Sequence, residues 1–329
     1  MRQIKIIVGM ILLLALIATS SNAQEMKKIG QAGIQFLKID PTARSAAMAG
    51  AMTLASSDAS SVFYNPAGIG RMSPKFDLVA GNTRWIADIA YNSISVAYSF
   101  GSLGTFALHG TFADYGDIQG AVRAPQLEQG FELTGNVDVS AYYAGLTYSR
   151  NLMHNFAVGG TVKYVSQHLG TSVLNDNSSK KNEVSGFGFD FGTIFYPGWN
   201  SFGFGISIRN FGPELEYEQE SFEMPLTFSI GVSMNLLDVT SLENQKLLVS
   251  VDAEHPRDYT ERLKFGAEYI FMDVLALRAG YKTNHDIEGF FGGFGLDAKL
   301  SGVGARIDYA YSDIQFFDAV HRFTIGLSY

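Results

Sequence analysis

The chain ends on Arg322-Phe323-Thr324-Ile325-Gly326-Leu327-Ser328-Tyr329, where Phe323, Ile325, Leu327 and Tyr329 share one face of an extended strand and Arg322, Thr324, Gly326 and Ser328 the other. Successive strand side chains point to opposite sides, so a period of two separates an apolar face from a polar or small one. Just before it, Val303, Ala305, Ile307, Tyr309 and Tyr311 oppose Gly304, Arg306, Asp308, Ala310 and Ser312. Further back, Leu263, Phe265, Ala267 and Tyr269 oppose Arg262, Lys264, Gly266 and Glu268. Charges keep to one face, as required when one side of a wall meets hydrocarbon and the other a lumen.

Working outward, the alternation predicts strands over 76–82, 89–100, 103–113, 139–150, 154–168, 184–196, 201–211, 224–235, 246–254, 262–270, 274–283, 288–300, 302–312 and 321–329. That gives about 14 strands, an even number as in bacterial single-chain barrels. Connections after the even-numbered strands are mostly tight, such as Gly101-Ser102 and Phe271-Met272-Asp273. Those after the odd-numbered strands are mostly long and polar, such as 114–138, 169–183 and 212–223, while 236–245 is a longer connection on the short side. Short turns at one end and long loops at the other match the periplasmic and extracellular ends of an outer-membrane barrel, with both termini periplasmic. Aromatics near strand ends, including Tyr98, Phe100, Tyr148, Phe195, Tyr196 and Tyr329, would form interfacial girdles. A secreted β-sandwich or propeller also alternates, but rarely presents apolar faces through so many long strands.

Composition points the same way. Charged residues make up 17% of the 329, against about 25% in an ordinary soluble domain, and aromatics 13%. Mean hydropathy is +0.07 and pI near 5.3. An acidic chain without basic runs is a poor nucleic-acid ligand. The absence of Cys excludes disulfides and thiolate metal sites. Residues 1–23 carry Arg2 and Lys5, the apolar run Ile6 to Ala18, and Ser21-Asn22-Ala23, which reads as a signal peptide cleaved after Ala23. An anchoring helix is the alternative, but the run is short of the ~20 residues needed to span. Cleavage removes two basic residues and takes the net charge from -8 to -10.

Between leader and wall, Asp40 to Met72 does not read as strand. Small residues dominate it, and Asn65-Pro66 must stop any helix that starts at Asp58. The expected organisation is a signal peptide over 1–23, an N-terminal plug or hatch over 24–74 and a transmembrane barrel over 75–329. Here the residues Gly33, Phe36-Leu37, Ala43-Arg44, Ala46-Ala47-Met48, Gly50-Ala51, Asp58-Ala59-Ser60 and Tyr64-Asn65-Pro66-Ala67-Gly68 resemble the PorV/PorQ family, within the wider group similar to the FadL fatty-acid transporters. The resemblance is concentrated in roughly the first 50 mature residues. It implies an all-β, 14-stranded antiparallel barrel with an inward-folded N-terminal hatch, an outer-membrane address in a Gram-negative cell and, for the named members, a part in type IX secretion. Ala49 departs from the family's glycine pair, so looser backbone approach is expected there.

Catalysis finds little support. The six His are dispersed without an i,i+4 pair, and no Gly-x-Ser-x-Gly elbow occurs. Gly186-Phe187-Gly188 and Gly293-Phe294-Gly295 lack the following helix of a nucleotide loop and read instead as sharply curved strands with rings covering the backbone. The chain is therefore expected to be non-enzymatic, without cofactor or metal. Lumen-facing charges of both signs are expected at Arg262, Lys264, Glu268, Arg278, Arg306, Asp308 and Arg322, and also at Lys163, Asp190, Arg209, Asp252, Glu254 and Lys282. A structural salt-bridge network is favoured over a selective channel lining. In the hatch, Arg44, Gly50, Asp58, Asn65, Pro66, Ala67 and Gly68 are singled out, with Arg44 expected to reach Glu268 or Asp308.

Two roles stay open. One is protein transport, in which the long loops, including the acidic run Glu214, Glu216, Glu218, Glu220 and Glu223, meet exported proteins or secretion components. The alternative is a FadL-like channel in which a hydrophobic small molecule passes the hatch. A continuous apolar pocket between hatch and loops favours transport, and a filled polar lumen with an apolar patch on the loops favours protein binding. Outer-membrane lipid is a partner in both.

Overall fold

The computed structural model describes residues 30–173, 178–240, 242, 244–285 and 288–329. The leader reading, residues 1–23, lies outside them. Strands β1 to β3 span Phe76–Arg84, Ala90–Ser99 and Thr105–Asp114; β4 and β5, Ile118–Arg123 and Phe131–Val137, form a separate hairpin. Strands β6 to β9 span Val139–Met153, Phe156–Val173, Ser179–Phe195 and Gly203–Phe211; β10 and β11, Leu215–Tyr217 and Glu220–Phe222, form a second hairpin. Strands β12 to β18 span Thr227–Asn235, Gln245–Pro256, Arg262–Phe271, Leu275–Lys282, Glu288–Leu300, Val303–Ile314 and Val320–Ser328.

The 14 strands outside the two hairpins form one closed antiparallel barrel. Each pairs with its neighbour along the chain, and β1 closes on β18 from Asp77↔Ser328 to Arg84↔His321. Closure leaves no unpaired edge, the condition for a sheet to cross hydrocarbon. The outward positions are apolar: Leu108, Leu146, Ile206, Leu277, Ile307 and Ile325 are all more than a third exposed. The alternate positions along the strands point inward and are buried, including Lys163, Glu268, Arg278, Asp308 and Arg322. An apolar exterior around a charged interior is the reverse of a soluble β protein. Among the described residues no helix is long and apolar enough to cross a membrane.

Turn chemistry separates the two ends. At the short-turn end, Met272-Asp273 and Ser301-Gly302 place two successive residues at positive φ, as the two-residue hairpin turns that follow strand twist require. The longer connection on that side holds a short 3-10 helix, Leu236–Val239. At the other end the loops expected to be irregular are partly paired. The 114–138 loop contains β4–β5, the 212–223 loop contains β10–β11, and β7 and β8 run on until Val173 pairs Ser179. Polar composition concealed these pairs because, beyond hydrocarbon, backbone pairing continues without an apolar face to mark it.

The segment before β1 crosses the inside of the ring from end to end. At the long-loop end Ala32 bridges Glu223 in parallel, and the Gly33 N–H donates to the Glu223 carbonyl at 3.1 Å. At the short-turn end Arg71 Nη1 donates to the His154 carbonyl at 2.7 Å.

Candidate functional site

Three caps set the path of the N-terminal segment. Thr42 caps α1 (Ala43–Ala47), its hydroxyl accepting from the Ser45 N–H, and the helix ends where Ala49 and Gly50 both take positive φ. Asp58 caps the 3-10 turn Ala59–Phe63 and forms a capping box with Ser61. Asn65 caps Pro66–Arg71, with Pro66 at the first helical position, where its missing N–H costs nothing. The Asn65 carboxamide also binds outward, donating to the carbonyls of Thr53 at 2.8 Å and of Thr193 in β8 at 3.1 Å. One side chain thus caps a turn, ties two parts of the segment and holds them to the wall.

The wall meets this backbone with missing side chains. A methyl added at Gly192 would fall on the Asn65 carboxamide, and one at Gly159 on the Pro66 backbone. Ala67 has no exposed surface, and a methyl at Gly68 would collide with Ser61. Opposite Ala49 the wall residue is Gly280, where an added methyl would strike the Ala49 N–H. Approach at Ala49 is therefore close, contrary to the looser fit expected from its departure from glycine, because the space is supplied by the other partner. Gly293 and Gly295 likewise face inward, against Ala47 and the Arg278 guanidinium, while Phe294 points out. Their role is to admit side chains and backbone from within, which corrects the reading of rings covering curved strands.

Around Arg44 the charges form a connected chain. Arg44 grips Glu268 with two nitrogens, Nε at 2.8 Å and Nη2 at 2.7 Å. Glu268 also accepts from Arg278 Nε at 2.5 Å, and Arg278 Nη1 reaches Asp308 at 2.6 Å. Arg306 lies 3.5 Å from Asp58 and 2.6 Å from Asp77. These groups surround a cavity of about 120 Å³. Burial opposes ionisation of Asp58, but the guanidiniums of Arg306 and Arg44 and hydrogen bonds from Ser60 outweigh it and lower its pKa to about 2. Two-nitrogen pairing on a carboxylate that a second guanidinium also holds, as at Glu268, is the geometry in which buried ions recover their desolvation cost.

Nearer the long loops the charges are more loosely distributed. Glu254 pairs with Lys264 and with Arg209, Lys163 holds Asp190 at 2.7 Å, and Asp252 accepts from the Thr53 N–H at 2.8 Å. Lys282 contacts Glu288 at 2.7 Å, and Arg322 donates to the Asp40 carbonyl at 3.2 Å. Arg262 stacks on Tyr259 at 4.3 Å, with its Nε buried and without a hydrogen bond. Gly50 brings backbone close to Lys264. Between these groups lies a cavity of about 280 Å³, bounded on its apolar side by Phe36, Ile39, Phe63, Trp85 and Phe291. Its lining mixes rings with both signs of charge, so it is neither a continuous apolar pocket nor a fully filled lumen. Among the described residues no cluster could hold a metal ion.

Sequence reasoning missed several members of this region. Asp40 accepts from Ser45 Oγ at 2.6 Å and from the Tyr64 hydroxyl at 2.8 Å. Leu215 and Met224, from the glutamate-rich loop, are buried against Ile34, Phe36, Val165 and Val184. The signal was there: Leu215, Tyr217, Phe222 and Met224 alternate with acidic or polar neighbours, a half-buried hairpin inside what looked like a solvated run.

No protein-family model matches the chain, and no curated protein is similar to it in sequence. Solved structures are similar in fold. A Pseudomonas aeruginosa FadL homologue superposes with a TM-score of 0.55 at 12% identity, covering 88% of this chain and 98% of that one. The monoaromatic hydrocarbon channel CymD gives 0.54 at 12% identity, covering 88% and 96%. The Pseudomonas putida toluene transporter TodX gives 0.54 at 12% identity, covering 87% and 96%. At such identities the likeness establishes a shared architecture: this chain has the fold of the FadL-type hydrocarbon channels.

Proposed function

We propose that the protein is a non-enzymatic channel of the Gram-negative outer membrane that takes up a small hydrophobic molecule, with residues 24–74 acting as the hatch and residues 1–23 as a cleaved export signal. The observation that carries this reading is the cavity of about 280 Å³ between the N-terminal segment and the long loops. Its rings can hold an apolar body, and its cations, with Arg262 Nε lacking a partner, can hold a polar end. The fold shared with hydrocarbon channels supports the same reading by analogy. Outer-membrane placement rests on the closed ring, its apolar exterior and its short-turn and long-loop ends.

The chain has two Trp, and Trp85 borders the cavity whereas Trp199 lies in a short-turn connection. With Trp199→Phe, titration of the purified full chain with toluene or a medium-chain hydrocarbon is expected to change the fluorescence of Trp85 saturably. Proteoliposomes carrying the protein should take up the same probe faster than empty ones. Unchanged Trp85 emission together with uptake no faster than the control overturns the proposal.

A second reading, a PorV/PorQ-type component that meets exported proteins or type IX secretion machinery, is favoured by one feature. The β4–β5 hairpin exposes Ile118, Val122, Phe131 and Leu133 at the long-loop end. Removing residues 118–137 should then abolish co-purification of exported proteins while leaving Trp85 titration intact.

A further inference from the structure

The outward face is not uniform around the ring. On β3 the outward series runs Phe106, Leu108, Gly110, Phe112 and Asp114, so with ~3.3 Å rise per residue and a strand tilt of ~40° the first charge stands about 20 Å above Phe106. Phe106 therefore lies at the lower edge of the apolar band, beside the short turns. There the surface is hollowed into a groove of about 450 Å³, lined by Tyr98, Phe100, Leu103, Phe106, Leu108 and Leu146, with only apolar surface turned into it. A row of rings runs along it, Tyr98 to Phe100 at 4.8 Å, Phe100 to Phe106 at 5.8 Å and Phe106 to Tyr148 at 4.8 Å. The turn beside them is set by Gly101 and Gly104, both at positive φ, and Tyr148 Oη donates to the Leu103 carbonyl at 2.8 Å. Leu103 stands at the rim, 68% exposed.

Two cations bracket this groove at the level of its rings. The Lys75 carbonyl accepts from the Ser99 N–H at 2.8 Å, Ser99 pairs Thr105, and Thr105 pairs Ser149, the neighbour of Arg150. Lys75 and Arg150 are both exposed, and the Lys75 ammonium lies 5.5 Å from the centre of the Tyr98 ring. Among the described residues neither forms an ion pair. Three strand spacings of ~4.8 Å separate their backbones, about 14 Å, a gap that two long side chains can close on one head group between them. Acidic side chains are kept away from this rim: Asp77 is buried in the lumen, and the outward carboxylate of these strands, Asp114, is at the far end. Across β1, the terminal Tyr329 oxygen accepts from the Phe76 N–H at 2.9 Å and stays with the strand.

We propose that this groove binds one anionic phospholipid of the periplasmic leaflet, its phosphate held by Lys75 and Arg150 and an acyl chain laid over Phe100, Phe106, Leu108 and Leu146. Apolar surface alone would accept any chain, so the choice of lipid belongs to the two cations. A zwitterionic head brings its own cation to the same rim and loses most of that attraction. A second copy of the chain would set like charges face to face there, which favours a lipid as the occupant.

Native mass spectrometry of the purified full chain in mild detergent, titrated with phosphatidylglycerol or with phosphatidylcholine of the same acyl chains, reads the two affinities. One phosphatidylglycerol is expected to bind about tenfold more tightly than phosphatidylcholine. Lys75→Gln and Arg150→Gln should each weaken phosphatidylglycerol about fivefold, the worth of one cation at a membrane surface, with little change for phosphatidylcholine. Leu146→Trp, which fills the groove, should weaken both lipids. Lys299→Gln removes an exposed cation at the same end of β16, away from the groove, and should change neither. Heat-modifiable electrophoretic mobility checks that each variant has formed its barrel. Equal affinity for the two lipids, an unchanged phosphatidylglycerol affinity when Lys75→Gln and Arg150→Gln are combined, or a lipid-free dimer as the major species overturns the proposal.

Discussion

At the short-turn end of the lumen Asn65 reaches Thr193 across a wall stripped to Gly192 and Gly159, and Arg44 is locked to Glu268 by two nitrogens. At the long-loop end the same segment leaves about 280 Å³ unfilled, and Arg262 keeps a buried Nε without a partner. The wall is the same kind of sheet at both levels. What differs is how closely the wall side chains are matched to the segment: missing methyls and a two-nitrogen clamp at one level, an open cavity lined by rings and ion pairs at the other. Precise fit fixes position, and its absence leaves room for a guest.

The sharpest way to break this contrast uses two adjacent glycines. Gly159→Val pushes a branched side chain into the Pro66 backbone, whereas Gly160→Val points outward with no atom closer than 3.7 Å. The first is expected to cost about 3 kcal/mol or prevent barrel formation, and the second to be near neutral. Urea unfolding in detergent, or heat-modifiable mobility, separates them; equal losses would show that the segment does not depend on its fit to the wall.

Removing one arm of the charge chain comes next. Arg44→Met should destabilise by about 2 kcal/mol, less than the ~3–5 kcal/mol of an isolated buried pair, because Arg278 still neutralises Glu268. A double-mutant cycle with Asp58→Asn, also read by urea unfolding, measures the coupling between the two.

Acid sharpens the comparison further. The pKa of Asp58 is lowered from 3.8 to about 2, so its stabilising contribution is complete above the unfolded value and is lost as pH falls through about 2. Stability measured between pH 5 and 2 should therefore fall by up to about 2 kcal/mol from this group, and Asp58→Asn should flatten that part of the profile. The smallest effect belongs to the loose end. Arg262→Ala is expected to change stability by no more than about 0.5 kcal/mol while weakening the response of Trp85 to added ligand.

The wall was legible because its code is local. Alternation gave the 14 barrel strands, since lipid imposes the same outward face on every strand; Arg262–Phe271 and Glu288–Leu300 fall within a residue of the segments read from sequence, whereas Phe156–Val173 and Ser179–Phe195 run five residues further into the long-loop end, where lipid no longer marks a face. The contacts of the N-terminal segment are not local. That Gly280 yields space to Ala49, or Gly192 to Asn65, depends on pairings across more than a hundred residues, which no single-chain periodicity records. The sign of the charges suggested Arg44 with Glu268, but sign alone could not separate that partner from Asp308, which Arg278 takes instead. Leu215 and Met224 escaped because five glutamates dominated the composition of their loop.

The seam of the cylinder joins β1 to β18, the first wall strand to the last. The stretch directly ahead of β1 carries Arg44 and Asp58, which pair with Glu268 on β14 and Arg306 on β17. The filling of the bore is thus covalently continuous with one lip of the seam, and its ion pairs clasp staves on the other side of that joint, so the ring is fastened twice over: once by its backbone ladder and once from within.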